Sequence, residues 1–117
     1  SAMAAGGVAY LMGGDAVQIS HAAALALKNL LGLACDPVAG LVEVPCVKRN
    51  VMGAVNAMTS SDMVMAGITS KIPPDEVIDA MRAIGRSMSE DIRETGKGGL
   101  AGTPTGVAIR ERMAGTL

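Results

Sequence analysis

Aromatic residues are almost absent from this 117-residue sequence, which has one Tyr and no Phe or Trp. Bases of single-stranded nucleic acids stack on aromatic side chains, so the sequence lacks the platforms that such binding uses. The net charge of −1 provides no basic surface for a phosphate backbone either. These two features exclude nucleic acid as an expected partner.

Long uninterrupted apolar runs are also absent. The apolar stretch 16–34 contains Gln18, His21, Lys28 and Asn29, which argues against a membrane span. The sequence opens with SAMAAGGVAY, without the positively charged segment that begins a secretory signal. We therefore expect a soluble, cytoplasmic protein with no membrane partner. In a reducing cytosol, two cysteines are more often thiols or metal ligands than a disulfide.

Charged residues are scarce in the first 69 positions, which hold only seven, whereas the other 48 residues hold fourteen. A helix that is apolar on nearly all sides is usually buried on nearly all sides. A domain of this size cannot bury several such helices with its own surface. We therefore expect residues 1–69 to be covered by further chain or by a partner. The seven are Asp15, Lys28, Asp36, Glu43, Lys48, Arg49 and Asp62.

The periodicity of the sequence predicts helices and no convincing strand. Residues 1–14 contain no charge and predict a buried helix that ends at a pair of glycines. Asp15 suits the N-cap of a second helix, which runs to position 31 and is followed by a glycine. A third helix is predicted over residues 47–68, where small residues and methionine imply close helix packing.

A fourth helix is the clearest element of the sequence. Pro74 fits the first helical position, and Asp75 and Glu76 fit the first turn, where they complement the helix dipole. Apolar side chains follow at spacings of three and four and predict one buried face. Residues 93–106 break the pattern with five glycines and a proline, and a short terminal helix follows. The predicted fold class is therefore all-α. The apolar stripe is formed by Val77, Ile78, Met81, Ile84, Met88 and Ile92.

Both cysteines flank a loop with the sequence CDPVAGLVEVPC. Cys35 and Cys46 are eleven positions apart, which is not the spacing of zinc ribbons or of thioredoxin-like redox pairs. Pro37, Gly40 and Pro45 prevent a regular element, so the loop could direct both thiolates at one point. Two thiolates do not complete a zinc or iron–sulfur site, which takes three or four ligands. Two small buried thiols remain an open interpretation of the same residues.

Two cations and an amide follow Cys46 in the sequence VKRN. Lys48 and Arg49 could neutralise the charge of a cluster or bind a substrate carboxylate, Arg49 through its planar fork. Asn50 is a further candidate for substrate binding. A solvated helix start explains the same residues without any chemistry.

Two other motifs are less specific. Residues 93–99, RETGKGG, superficially resemble a phosphate loop but lack the spacing GxxxxGK[ST] and a preceding strand. An anion-binding or packing turn is the better interpretation. His21 lies among alanines in the middle of a helix, where a hydrogen-bonded core histidine is commoner than a catalytic one.

The segment CDPVAGLVEVPCVKRN is followed, much later in the sequence, by the segment RETGKGGLA. This order resembles the C-terminal part of the alpha chain of bacterial iron–sulfur-dependent L-serine dehydratase, also called L-serine ammonia-lyase. The resemblance spans essentially all of residues 1–117, including the opening SAMAAGG and the helix IPPDEVIDAM. It implies that residues 1–117 are the C-terminal portion of an all-α alpha domain. It also implies a lyase that converts L-serine to pyruvate and ammonia.

The resemblance further implies an oxygen-sensitive 4Fe-4S cluster held by three cysteines, with one iron open to the substrate. Cys35 and Cys46 match two of these ligands, and the third lies in a family segment upstream of the position of Ser1. We therefore expect the cluster in the full enzyme and not in this fragment, which we expect to be inactive alone. The implied partners are the remaining alpha-chain segment, a beta domain or chain, and further copies in a homo-oligomer.

The general base stays open at this point. Lys48 would have to lose its proton near neutral pH, and Glu43 would have to accept one. The base could equally lie outside these residues. Two other functions also stay open: a helical interaction domain with Met-rich binding surfaces, and a zinc or redox module that uses the same two cysteines.

Overall fold

The computed structural model describes residues 1–116. No strand forms within these residues, and one isolated bridge joins Cys35 to Arg93. The all-α prediction is confirmed. The helices are α1 (Ala2–Leu11), α2 (Ala16–Lys28), α3 (Cys46–Met65), α4 (Pro74–Ser87) and α5 (Pro104–Ala114). Short 3₁₀ turns lie at Val38–Gly40, Glu90–Ile92 and Gly99–Gly102.

The chain forms two compact bodies. The first comprises residues 1–32 and 50–86, and the second comprises residues 33–49 and 87–116. The cysteine loop, the start of α3 and the glycine-rich segment all belong to the second body. The candidate site can therefore be described within that body.

Small side chains form the core of the first body. Because an alanine extends so little from the backbone, neighbouring helices can approach closely. A Cβ placed on Gly6 of α1 would lie 3.4 Å from Cγ2 of Ile19 in α2. Ser61 of α3 donates its hydroxyl to the carbonyl of Ala5 in α1 at 2.8 Å. The core residues are Ala5, Ala9, Ala22, Leu25, Ala26, Ala57 and Val64.

The start of α2 has the capping chemistry that the sequence predicts. The Asp15 carboxylate accepts from the N–H of Gln18 at 2.8 Å, and the Gln18 side chain accepts from the N–H of Asp15 at 2.9 Å. This reciprocal pair satisfies two N–H groups that the helix leaves free. The helix ends at Lys28, three residues before the predicted end.

The prediction that residues 1–14 form a buried helix is correct for one face of α1 only. Ala5, Gly6 and Ala9 are buried. Met3 and Leu11 are 91% and 82% exposed. The residues that pack on α1 cover only the face that carries its small side chains, so the opposite apolar face is exposed.

The fourth helix begins at Pro74, as predicted, but it ends at Ser87, so Ile92 lies in a separate 3₁₀ turn. Val77 is buried, whereas Ile78 and Met81 are each 42% exposed. The predicted buried face of α4 is thus only partly covered. Among the described residues, no helix combines the length and the apolar character that crossing a membrane requires.

The last helix, α5, begins earlier than predicted because Thr103 caps it. The Thr103 hydroxyl accepts from the N–H of Gly106 at 3.1 Å, and Pro104 occupies the first helical position. A side chain at Gly106 would collide with the carbonyl of Leu100. The start of α5 is therefore packed tightly against the 3₁₀ turn that precedes it.

Candidate functional site

The segment between the two cysteines is irregular, as predicted. It contains one 3₁₀ turn, Val38–Gly40, in which Ala39 has a positive φ of 55°. The N–H of Val38 donates to the carbonyl of Val44 at 2.9 Å and closes the loop on itself. Cys46 is the first residue of α3. The second thiol is therefore held by a helix start, while the first is held by main-chain pairing.

That pairing joins Cys35 to the segment that carries RETGKGG. The N–H of Cys35 donates to the carbonyl of Ile92 at 2.9 Å, and the N–H of Glu94 donates to the carbonyl of Cys35 at 2.8 Å. Glu94 has a positive φ of 69°, a conformation that costs a non-glycine residue about 1–2 kcal/mol. Two motifs that are far apart in the sequence thus meet at the first cysteine.

Both cysteines are free and partly buried. Burial raises the pKa of the Cys35 thiol, and the negative charges of Glu94, Cys46 and Asp36 raise it further, while Arg49 acts against them. Burial and the acidic neighbours outweigh Arg49 and favour the neutral thiol of Cys35 over its thiolate. A bound metal cation would favour its thiolate.

Asp36 is the most constrained charged residue of this loop and is only 3% exposed. Its Oδ1 accepts from Nη1 of Arg49 at 2.6 Å, and its Oδ2 accepts from the N–H of Leu100 at 2.6 Å. Burial alone would raise the pKa of Asp36, but the Leu100 hydrogen bond and the adjacent Arg49 guanidinium lower it below its ordinary value. Asp36 is thus a buried carboxylate with both oxygens occupied.

Gly99 packs directly against the Asp36 carboxylate. Its φ is +58°, and a side chain there would collide with Oδ2 of Asp36. At the neighbouring Gly98, a Cβ would lie 2.7 Å from Cβ of Asp91. These two glycines of the motif are required for close packing. Of the two interpretations of RETGKGG, the packing turn is the one that the described contacts support.

The lysine of that turn pairs at the surface with Glu90, which lies in the preceding 3₁₀ turn. Nζ of Lys97 lies 3.0 Å from Oε1 of Glu90, and both side chains are more than half exposed. The Thr95 hydroxyl donates to the carbonyl of Glu90 at 2.8 Å. The lysine expected of a phosphate loop is therefore engaged in a surface ion pair, which contributes little to stability.

Arg49 connects the start of α3 to the cysteine loop. Its Nη1 donates to the carbonyl of Ala34 at 2.7 Å and to Asp36 at 2.6 Å. The arginine side chain is 27% exposed. The neighbouring candidates Lys48 and Asn50 are exposed, as a solvated helix start would be. Arg49 alone among these three is tied to the loop by hydrogen bonds within residues 1–116.

Glu43, the other candidate base, is exposed and lines an open cavity of about 310 Å³. The remaining walls of this cavity are apolar and come from the cysteine loop and α5. A single carboxylate at an apolar wall defines no reaction by itself. The other lining residues are Val38, Leu41, Val44, Ile109 and Met113.

His21 belongs to the first body and has a structural role there. Its Nδ1 accepts a hydrogen bond from the N–H of Ser70 at 3.0 Å. The proton of a neutral ring then lies on Nε2. This is the hydrogen-bonded histidine that the sequence favours over a catalytic one.

Asp36 and Leu100 were not among the candidates that the sequence provides. An aspartate before a proline is typical of a turn, and a backbone N–H leaves no mark in a sequence. The one available signal was a possible ion pair within the motif. Asp36 directly follows Cys35, and the oppositely charged Arg49 follows Cys46 by three positions. Within residues 1–116, no group of three or more His, Cys, Asp or Glu residues is arranged to hold a metal ion.

The described residues define an all-α protein in which two free thiols lie at the ends of one irregular loop and a buried aspartate of that loop pairs with Arg49 of α3. The sequence matches the family described as serine dehydratase alpha chain over residues 1–101. The chain belongs to this family, and the resemblance noted from its motifs is confirmed.

Several curated relatives show the same relationship. The chain is 60% identical over 115 residues to a probable L-serine dehydratase, alpha chain, of Latilactobacillus sakei, covering 98% of this chain and 55% of that protein. It is also 60% identical over 115 residues to the protein of the same description from Bacillus subtilis, covering 98% and 38%. The L-serine dehydratase alpha chain of Peptoniphilus asaccharolyticus is 52% identical over 110 residues, covering 94% and 38%. The chain thus spans about half or less of the length of these relatives.

Proposed function

We propose that this chain is part of an L-serine dehydratase that converts L-serine to pyruvate and ammonia. The observation that carries the proposal is an irregular loop with a free cysteine at each end, to which Arg49 of α3 and the RETGKGG turn are both hydrogen-bonded. Relatives that are 60% and 52% identical to this chain over most of its length are described as L-serine dehydratase alpha chains. In the reaction the α-proton and the β-hydroxyl of serine leave as water, and the resulting aminoacrylate hydrolyses to pyruvate and ammonia.

The proposed cofactor is a 4Fe-4S cluster with Cys35 and Cys46 as two of its ligands. The donor set fits, because both sulfurs are free and partly buried at the two ends of one irregular loop. Further ligands have to come from the portion of the alpha chain that the relatives possess beyond this match. When bound, such a cluster supplies a Lewis acid for the departing hydroxyl.

Arg49 is the residue of this chain that we assign to the substrate carboxylate. Its guanidinium is held by Ala34 and Asp36, and the side chain as a whole is 27% exposed, so a fixed position is combined with partial exposure. A planar fork matches a planar carboxylate. Lys48, Glu43 and Asn50 are exposed and can reach a substrate only if the remaining protein brings it to them. We propose Lys48 and Asn50 as contributors of this kind, and the general base is one of Lys48, Glu43 or a residue of the remaining protein.

The complete enzyme in this proposal contains the rest of the alpha chain and a beta domain or chain, and it assembles as a homo-oligomer in the cytoplasm. The chain of residues 1–117 alone is expected to be inactive, since two thiolates leave a cluster short of ligands. Activity should therefore be tested in the complete protein.

The test is anaerobic reconstitution of the complete alpha chain with its beta partner, followed by iron analysis, absorption spectroscopy and a pyruvate assay with L-serine. We expect about four iron atoms per alpha chain and pyruvate formation. Cys35→Ser and Cys46→Ser should each lose both, because a hydroxyl is a poor ligand for iron in place of a thiolate.

Val42→Ser is the matched control, since it places the same hydroxyl at a 62% exposed position of the loop between the two cysteines. It should retain iron and activity. Binding of colourless zinc instead of iron would favour a zinc module, and binding of no metal would favour a helical interaction domain. Full activity in both cysteine variants would refute the proposal.

A further inference from the structure

The guanidinium of Arg49 uses only part of its hydrogen-bonding capacity inside this chain. It has five N–H groups, and Nη1 donates to the carbonyl of Ala34 at 2.7 Å and to Asp36 at 2.6 Å. Within residues 1–116, no hydrogen bond from Nε or Nη2 is found. These two atoms carry parallel N–H groups on one edge of the planar group. One edge of Arg49 is thus fixed and the other is unused.

The Asp36 carboxylate, which fixes Arg49, is itself held in one orientation. Asp36 is 3% exposed, and its second oxygen accepts from the N–H of Leu100 at 2.6 Å. Gly99 lies against the carboxylate so closely that a side chain there would collide with it. Asp36 can therefore neither rotate away from Arg49 nor bind a substrate itself.

We infer that Asp36 is a positioning residue, which holds Nη1 of Arg49 so that the Nε–Nη2 edge is presented to the carboxylate of an amino-acid substrate. This inference rests on the proposed function and adds to it the residue that sets the substrate-binding geometry. An amino acid supplies the planar, charged group that a guanidinium edge binds in two parallel hydrogen bonds. Fixing the arginine in advance reduces the ordering cost of substrate binding.

The chemistry of Asp36 requires a carboxylate and not merely a residue of that shape. Both of its partners are donors, and an asparagine would direct its NH₂ group at one of them. Asp36→Asn should therefore lose one of its two hydrogen bonds and release either Arg49 or Leu100. Arg49→Lys removes the fork while keeping the positive charge.

The experiment measures KM and kcat for L-serine, iron content and melting temperature in the complete reconstituted enzyme. The variants are Asp36→Asn, Arg49→Lys and the double substitution. We expect Asp36→Asn to raise KM by about tenfold with kcat and iron content within about twofold. In the double variant, KM should rise little beyond that of Arg49→Lys alone, because the two residues act through one contact.

Glu90→Gln is the matched control, because it removes a carboxylate from an exposed ion pair with Lys97 in the same body. It should leave KM unchanged. A KM for Asp36→Asn equal to that of the wild type would overturn the inference. It would also be overturned if the fold increase in KM of the double variant equalled the product of the increases of the two single variants. If Asp36→Asn does not fold, an unchanged KM in Arg49→Lys overturns it as well. Failure of the proposed function is distinguishable, since the wild type would then lack iron or pyruvate formation.

Discussion

At the scale of single residues, the tightest constraint in the second body lies between Gly99 and Asp36. The glycine has a positive φ and also touches a buried carboxylate. Gly40 has a similar φ of +72°, but nothing lies within 4 Å of the position of its missing side chain. A side chain at Gly40 would therefore lose stability only through its backbone conformation. A side chain at Gly99 would lose stability through the same conformation and also through steric overlap with Asp36.

Substitution of these two glycines by alanine should destabilise the chain to different extents. Gly40→Ala should cost about 1–2 kcal/mol of unfolding free energy, which is the price of a left-handed conformation. Gly99→Ala should cost about 2 kcal/mol more, since it also displaces Asp36 from its hydrogen bonds. Urea denaturation of both variants measures the difference. Equal losses of unfolding free energy in the two variants would show that Asp36 can move away from a side chain at position 99 without loss of stability.

The residue-level prediction from sequence was correct where chemistry is local. The two cysteines, the irregular loop and the helix start at VKRN follow from residue types within a few positions. Asp36 was missed because its partners lie 13 and 64 positions away, and one of them is a backbone N–H. A contact of this kind depends on the fold and has no local signature.

At the scale of secondary-structure elements, helix starts were predicted better than helix ends. Asp15 marks a start by capping, and Pro74 with the acidic first turn marks another by proline and dipole chemistry; the structure begins helices next to each. The ends of α2 and α4 fall three and five residues before the last residues assigned from periodicity, Leu31 and Ile92. Apolar residues continue at similar spacings in the turns that follow these helices. Their spacing therefore does not indicate the residue at which the helix ends.

The capping box of α2 gives an element-level prediction. Asp15→Ala should lower the free energy of unfolding by about 1 kcal/mol, because the N–H of Gln18 loses its acceptor. Asp62→Ala, at an exposed position inside α3, removes the same charge without a cap and should change stability by less than about 0.5 kcal/mol. Thermal and urea unfolding of both variants would decide the matter, and equal effects would contradict the capping role.

At the scale of the whole molecule, the uneven charge of the sequence corresponds to exposed apolar side chains in the first body. Tyr10 and Leu11 of α1 are 68% and 82% exposed, and Val51 and Val55 of α3 are 63% and 61% exposed. Soluble monomers seldom leave large apolar patches uncovered. The scarcity of charge predicts that further chain or a partner packs on residues 1–69. These exposed side chains form the surface on which it would pack.

We predict that the isolated chain of residues 1–117 associates with itself as its concentration rises. Sedimentation velocity should show a growing weight-average mass, and Leu11→Gln combined with Val55→Gln should reduce that growth. Val17→Gln serves as control, since Val17 is 63% exposed on α2 and so lies outside both α1 and α3. A monomer at every concentration tested would contradict this prediction.

The pairing of Cys35 with the segment around Glu94 also orders events during synthesis. The N–H of Cys35 finds its acceptor only at Ile92, and Asp36 finds its second partner only at Leu100, 64 positions later. Closing so long a loop requires that the whole intervening chain has left the ribosome. The residues of the first body, which end at position 86, are translated before that point. For the proposed cluster, iron delivered earlier would meet two cysteines without their final surroundings, so we propose that loading of this loop follows translation of the glycine-rich turn.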